Sequence, residues 1–112
     1  MVEYRHMRVN RTSLIKMDLL ILAVLEKKDC YGYEIASFIN SSCKGAIQLM
    51  EGNLYPILHR LLEDHYISSY EVLVNRKIRV YYHLEKEGME EFNKLKEDYY
   101  FKIKCINKIL EE

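Results

Sequence analysis

With 112 residues, 49% of them hydrophobic, the chain can bury one modest core and leaves little room for a second independent domain. Seventeen basic and seventeen acidic groups cancel, which excludes a grip on nucleic acid or membrane through overall charge and leaves only local charge for that purpose. No run approaches the roughly eighteen apolar residues of a membrane span, no secretory signal pattern follows the first arginines, and Cys30, Cys43 and Cys105 are too few and too scattered for a disulfide framework. A cytoplasmic protein is expected.

The first twelve residues form a basic arm carrying Arg5, Arg8 and Arg11, which either reaches a polyanion or is a solvated tail. Ser13 is a candidate N-cap for a helix running to about Lys28, in which Leu14, Met17, Leu20, Ile21, Val24 and Leu25 recur at helical spacing. Leu19 and Leu22 widen the apolar face, so this helix is central or shared with a second subunit. Tyr31-Gly32 breaks the pattern, and a short helix over Tyr33 to Ile39 precedes a loop through Ser41, Ser42, Lys44 and Gly45.

A third helix is expected over about 51 to 64, with Leu54, Ile57, Leu58, Leu61 and Leu62 inward and His59, Arg60 and Glu63 on the other face. Pro56 dates its start, because proline fits without loss only in the first turn. Gly52, Asn53 and Tyr55 are then its leading end. Ser69 to Val74 and Ile78 to Leu84 read as strands, the second alternating Ile78, Val80, Tyr82 and Leu84 against Arg79, Tyr81 and His83, with Asn75, Arg76 and Lys77 as the turn.

From about Glu87 the chain reads as one long helix. Phe92, Leu95, Tyr99, Ile103, Ile106 and Leu110 form an apolar stripe of nearly coiled-coil period, which needs a cover, most economically a second subunit. The fold class is therefore mainly α with a small β-hairpin: a winged helix-turn-helix over residues 13–85 and a C-terminal dimerisation helix over 86–112.

Charge is unevenly spread. Residues 1 to 16 carry four basic groups against Glu3, Val72 to His83 carries three without an acid, and residues 85 to 112 carry eight acids against six lysines. A helix with a polar, aromatic-bearing front followed by a basic hairpin is how a small domain grips duplex DNA, and attraction to phosphate acts over about a Debye length, so a neutral protein can do so.

Leu20-Ile21-Leu22, Tyr31-Gly32-Tyr33-Glu34-Ile35, Gly52-Asn53-Leu54-Tyr55-Pro56-Ile57-Leu58-His59-Arg60-Leu61 and Tyr81-Tyr82-His83-Leu84 with Gly88 resemble the PadR family of bacterial transcriptional regulators, and the single last helix resembles its short subgroup. The resemblance implies a homodimeric winged-helix repressor bound to an operator. Three positions depart from the usual pattern: Asn53 where threonine or serine is common, Arg76-Lys77-Ile78-Arg79-Val80 where a Gly-Arg-Pro-Arg-Lys run is frequent, and Glu85 in place of a threonine.

The expected DNA-binding residues are Tyr33, Gly52, Asn53, Tyr55, His59, Arg76, Lys77 and Arg79. Each has a plainer alternative: core packing for Tyr33 and Tyr55, self-capping for Asn53, a solvated hairpin for the wing cations. Arg60 pairs with Glu63 or Asp64, or else meets phosphate. The dimer surface, and with it the site of a small hydrophobic or aromatic effector, is expected at Phe92, Leu95, Tyr99, Tyr100, Ile103, Ile106 and Leu110, with Phe101 as packing and Met7, Met17 and Met89 as adaptable lining. The four histidines lack metal-ligand spacing, and no catalytic or cofactor motif occurs, so neither a metal, a cofactor nor an enzyme is expected. A winged-helix adaptor that binds protein and not DNA is the alternative function.

Overall fold

The computed structural model describes residues 14–111; the basic arm, Met7 and the Ser13 cap lie outside them. The elements in chain order are α1 (Met17–Lys27), β1 (Cys30–Tyr31), α2 (Gly32–Cys43), α3 (Glu51–Glu63), β2 (Ile67–Val74), β3 (Lys77–Leu84) and α4 (Lys86–Leu110). The strands form an antiparallel sheet in the order β1-β3-β2, with Cys30 opposite Tyr82 and Ile67 opposite Leu84. Among the described residues, four helices with a small three-stranded sheet make the winged-helix fold that the pattern predicts.

α1 is the centre of the core. Ile21 and Leu22 are wholly buried, as are Ile35 from α2 and Leu54, Leu58 and Leu61 from α3. Burial of this kind contributes about 1.5–3 kcal/mol per large side chain relative to exposure. Leu14 lies before α1 and is 40% exposed, so the helix starts three residues later than the periodicity suggests.

α2 runs four residues past Ile39 and takes in Ser41 and Ser42, which sequence reading assigned to a loop. Its start is fixed by half of a capping box, the Tyr31 N–H donating to Glu34 Oε1 at 3.2 Å. Its end is a left-handed pair, Lys44 at φ 50° and Gly45 at φ 88°. Asn40 then holds the loop into α3: its Nδ2 donates to the Leu49 carbonyl at 2.9 Å, and the Leu49 N–H donates to its Oδ1 at 2.6 Å. That pair of bonds draws Leu49 into the core and sets the approach to α3.

α3 starts at Glu51, but Pro56 sits in its second turn and not its first. The carbonyl of Gly52 thereby loses its helical N–H donor, a loss tolerated because Gly52 is exposed with open space around it. The helix ends in a Schellman closure, with Tyr66 N–H on the Leu61 carbonyl, His65 N–H on the Leu62 carbonyl, and His65 at φ 62°.

The hairpin turn has two residues and not three. Val74 pairs with Lys77, and Asn75 and Arg76 have φ of 50° and 68°, as the primed hairpin turns require. Asparagine suits that conformation; arginine adopts it at a cost of about 1 kcal/mol. Gly88 is compelled by packing: a Cβ there would overlap the carbonyl oxygen of Tyr66, to which the Glu85 N–H donates at 3.0 Å. α4 is thus seated on the α3–β2 corner.

Candidate nucleic-acid interface

The inward leucines of α3 decide what it shows outside. With Leu54, Leu58 and Leu61 buried and Ile57 and Leu62 half-buried, Gly52, Asn53, Tyr55 and His59 are left exposed. Asn53 does not cap the helix; the N-cap position is Met50 and no side chain bonds there. Tyr55 is 47% exposed and is not a core residue. Its ring leans on the start of α2, where a Cβ on Gly32 would come within 2.5 Å of its hydroxyl oxygen. Gly32 and Tyr55, from two separate sequence motifs, are therefore one packing unit.

His59 Nε2 lies 3.6 Å from Glu63 Oε1, both at the surface. Arg60 corrects the sequence reading. It reaches neither Glu63 nor Asp64 but grips Asp18 of α1 with both arms of its guanidinium, Nη1 to Oδ2 at 2.8 Å and Nη2 to Oδ1 at 3.0 Å. Asp18 is 5% exposed, the one buried charged residue among those described. Burial pushes its carboxyl up, but the hydrogen bond and charge of Arg60, helped by Lys16, outweigh this and hold it below the ordinary value. An acid inside the otherwise apolar run from Met17 to Leu25 was the available signal.

Tyr33 stands at the first turn of α2, 60% exposed, so the core-packing alternative fails. Its ring stacks on Tyr31 at 6.4 Å, Tyr31 meets Tyr81 edge-on at 5.5 Å, and Tyr81 stacks on Tyr70 at 5.8 Å. The Arg79 guanidinium lies 4.9 Å from the Tyr31 ring centroid. Arg79 is thus held against the body of the domain, while Arg76 at the turn and Lys77 at the start of β3 are exposed.

On the other face of the hairpin the predicted alternation holds only over Tyr82 to Leu84; toward the tip Ile78 and Val80 are exposed while Arg79 and Tyr81 are half-buried. Ile78 is 65% exposed and Val80 41%, because the hairpin extends past the core. Its base is clamped by a residue the sequence did not single out. Asp29 accepts from the Tyr70 hydroxyl at 2.6 Å and sits 2.8 Å from His83 Nδ1, joining both strands to the end of α1. Asp29 raises the pKa of His83 and pushes Tyr70 up to about 12.

The last helix divides in two. Phe92 is buried in the core of its own chain, and Leu95 and Tyr99 pack partly against that core. These three were expected at a subunit interface; within the chain Phe92 is instead part of the core, while Leu95 and Tyr99 stay half-buried beside α1. Ile103 is half-buried, whereas Tyr100, Ile106 and Leu110 remain exposed. Between α1 and α4 lies an open groove of about 480 Å³ lined by Leu19, Leu20, Ala23, Phe92, Tyr99 and Tyr100 among others. Phe101, Met17 and Met89 do not line it.

Among the described residues no group of three or more acidic, histidine or cysteine side chains is placed to hold a metal, and no helix is long and apolar enough to cross a membrane. Cys30, Cys43 and Cys105 are free thiols, and burial raises the pKa of Cys30, which disfavours its reactive thiolate.

The family model of the transcriptional regulator PadR-like family matches residues 21–94, which spans α1 to the first third of α4. The chain belongs to the PadR-like family of transcriptional regulators. That family is one of regulators and not of enzymes. The PadR family transcription regulator of hypervirulent Clostridium difficile R20291 is 37% identical, with a TM-score of 0.74 over 83% of this chain and 96% of that one. Bacillus subtilis PadR, solved in complex with operator DNA, shares the fold at 23% identity, with a TM-score of 0.65 over 70% of this chain and 44% of that one. An uncharacterised protein of Lysinibacillus sphaericus is 34% identical over 62 residues, 54% of this chain and 57% of that protein, so the match spans little more than half of the relative's length.

Proposed function

We propose that this PadR-like protein is a homodimeric, sequence-specific transcriptional repressor of the cytoplasm. The observation that carries the reading is the exposed front of α3, where Gly52, Asn53, Tyr55 and His59 stand clear of the core beside Tyr33, in a family of transcriptional regulators. In the proposed complex that front enters the major groove. Tyr33 contacts the backbone, and Arg76, Lys77 and Arg79 of the wing meet flanking phosphates. The structure of the related Bacillus subtilis protein in complex with operator DNA supports the DNA reading. The exposed end of α4 pairs two copies, giving two half-sites. The division into a DNA-binding unit over 13–85 and a dimerisation helix over 86–112 belongs to the same proposal, with the amendment that α4 is rooted in the core at Phe92.

The groove between α1 and α4 is the proposed site of a small hydrophobic or aromatic effector that releases the DNA, with Tyr99 and Tyr100 supplying aromatic faces. A gel shift on the promoter duplex upstream of the protein's own gene, across a salt series, tests the DNA reading. Affinity should fall steeply with salt, by a slope of about 0.9 per phosphate neutralised. Binding that is absent at low salt, or indifferent to salt, favours the adaptor function instead.

A further inference from the structure

We infer that the Asp18–Arg60 pair is a positioning device for the recognition helix, locking α3 onto α1 at one rotation and one height so that Tyr55 and His59 are presented in register. The inference rests on the DNA-binding reading of α3. Apolar packing of Leu54, Leu58 and Leu61 holds α3 against the core but is non-directional, so by itself it resists a small roll or slide of the helix less sharply than oriented hydrogen bonds do. A bidentate contact at 2.8 and 3.0 Å cannot be kept through such motion.

The chemistry chosen points the same way. With the Asp18 side chain buried and the Arg60 side chain 46% exposed, the pair is buried on one side only, and neither exposed nor buried ion pairs add much net stability over apolar residues of the same volume, so the burial of Asp18 is explained by orientation better than by stability. Lys16, 4.0 Å from Asp18 Oδ2 and itself well exposed, is peripheral to the pair. Arg60 lies one residue after His59 and five after Tyr55 on a continuous helix, so fixing its azimuth fixes theirs. Asp18 precedes Leu19 and Leu20, which line the α1–α4 groove, so the pair also joins that wall to α3.

The test is the affinity of full-length Asp18→Asn, Arg60→Lys, Arg60→Gln and the double variant Asp18→Asn/Arg60→Gln for the duplex upstream of the protein's own gene, across a salt series, with dimer content and circular dichroism measured alongside. Asp18→Asn removes a negative charge, so if Asp18 were a bystander binding would stay level or tighten. Positioning requires the reverse: binding weakened by roughly tenfold in Asp18→Asn and in Arg60→Lys, which keeps the charge but loses the fork. The salt slope should match the wild type in every variant, and the double variant should be no weaker than the weaker single one.

Unchanged or tighter binding by Asp18→Asn overturns the inference. So does a salt slope lowered by about 0.9 in Arg60→Gln, which would make Arg60 a phosphate ligand. Should Asp18→Asn not fold, Arg60→Lys decides, with wild-type affinity counting against positioning. No binding by the wild-type protein at any salt overturns the DNA reading and this inference together, whereas binding by the wild type with indifferent variants removes the positioning role alone.

Discussion

α3 and α4 are both amphipathic, yet one is finished within the chain and the other is not. On α3 the inward residues reach complete burial, Leu54 at 0% and Leu58 at 1% exposed. On α4 the stripe begins equally well with Phe92 at 6% and ends with Leu110 at 77%. A helix whose apolar face is already satisfied has its polar face available for a ligand. A helix whose apolar face runs on past the core requires another apolar surface. The same spacing of hydrophobic residues therefore means internal support in one place and, in the proposed dimer, assembly in the other.

The sharpest way to break that comparison is to truncate one leucine from each helix. Leu58→Ala should lower unfolding stability by about 2–5 kcal/mol, since it opens a cavity in a wholly buried site. Leu110→Ala should leave the stability of the isolated subunit nearly unchanged and show its effect as weaker self-association in analytical ultracentrifugation. Equal losses of concentration-independent stability in urea melts would mean that the end of α4 is part of its own subunit's core.

Tyr55 tests the outer face of α3. Tyr55→Ala should cost about 1–2 kcal/mol in operator affinity, as loss of a polar aromatic contact does, with the dimer intact. Part of any loss of stability in that variant would come from the ring's contact with Gly32, so affinity and melting must be measured together. Dissociation of the dimer on this substitution would contradict the separation of surfaces drawn between α3 and α4.

The course of the chain was legible because its periodicities are strong: the leucines of α3, the alternation of β3 and the long stripe of α4 each name their element. What was not legible depends on partners far apart in sequence. Asp18 and Arg60 are 42 residues apart and Asp29 and His83 are 54 apart; an acid in an apolar run flags Asp18 but not its partner, and no local pattern marks Asp29. The stripe of α4 reads as uniform, since periodicity reports which face is apolar and not what covers it. β1 is two residues long and was hidden in a motif that read as a break between helices. Pro56 was misplaced by a turn because exposure at Gly52 makes a missing helix bond cheap, and exposure is a property of the fold.

The smallest effect expected is at the base of the wing. His83 owes its raised pKa first to the Asp29 hydrogen bond, against slight desolvation, with the charges of Asp29 and Glu85 adding to it. A group whose folded pKa lies above its unfolded one stabilises fully below the unfolded value, about 6.5 for histidine, and loses that contribution as pH rises through the folded value. Asp29 is shifted the opposite way, below 3.8, so its contribution holds above that value and disappears as pH falls through the folded one. The pair is therefore strongest between the two windows and weakens on passing from mildly acidic to alkaline conditions. The loss is modest, because the His83 side chain is 50% exposed and because Tyr70, still protonated throughout that range, continues to donate to the same carboxylate. His83→Gln should remove about 0.5 kcal/mol at pH 6 and almost nothing at pH 9, so melting curves of the two proteins should converge as pH rises. A difference that stays constant with pH would assign His83 a packing role in the hairpin and leave Asp29 tied to the wing through Tyr70 alone.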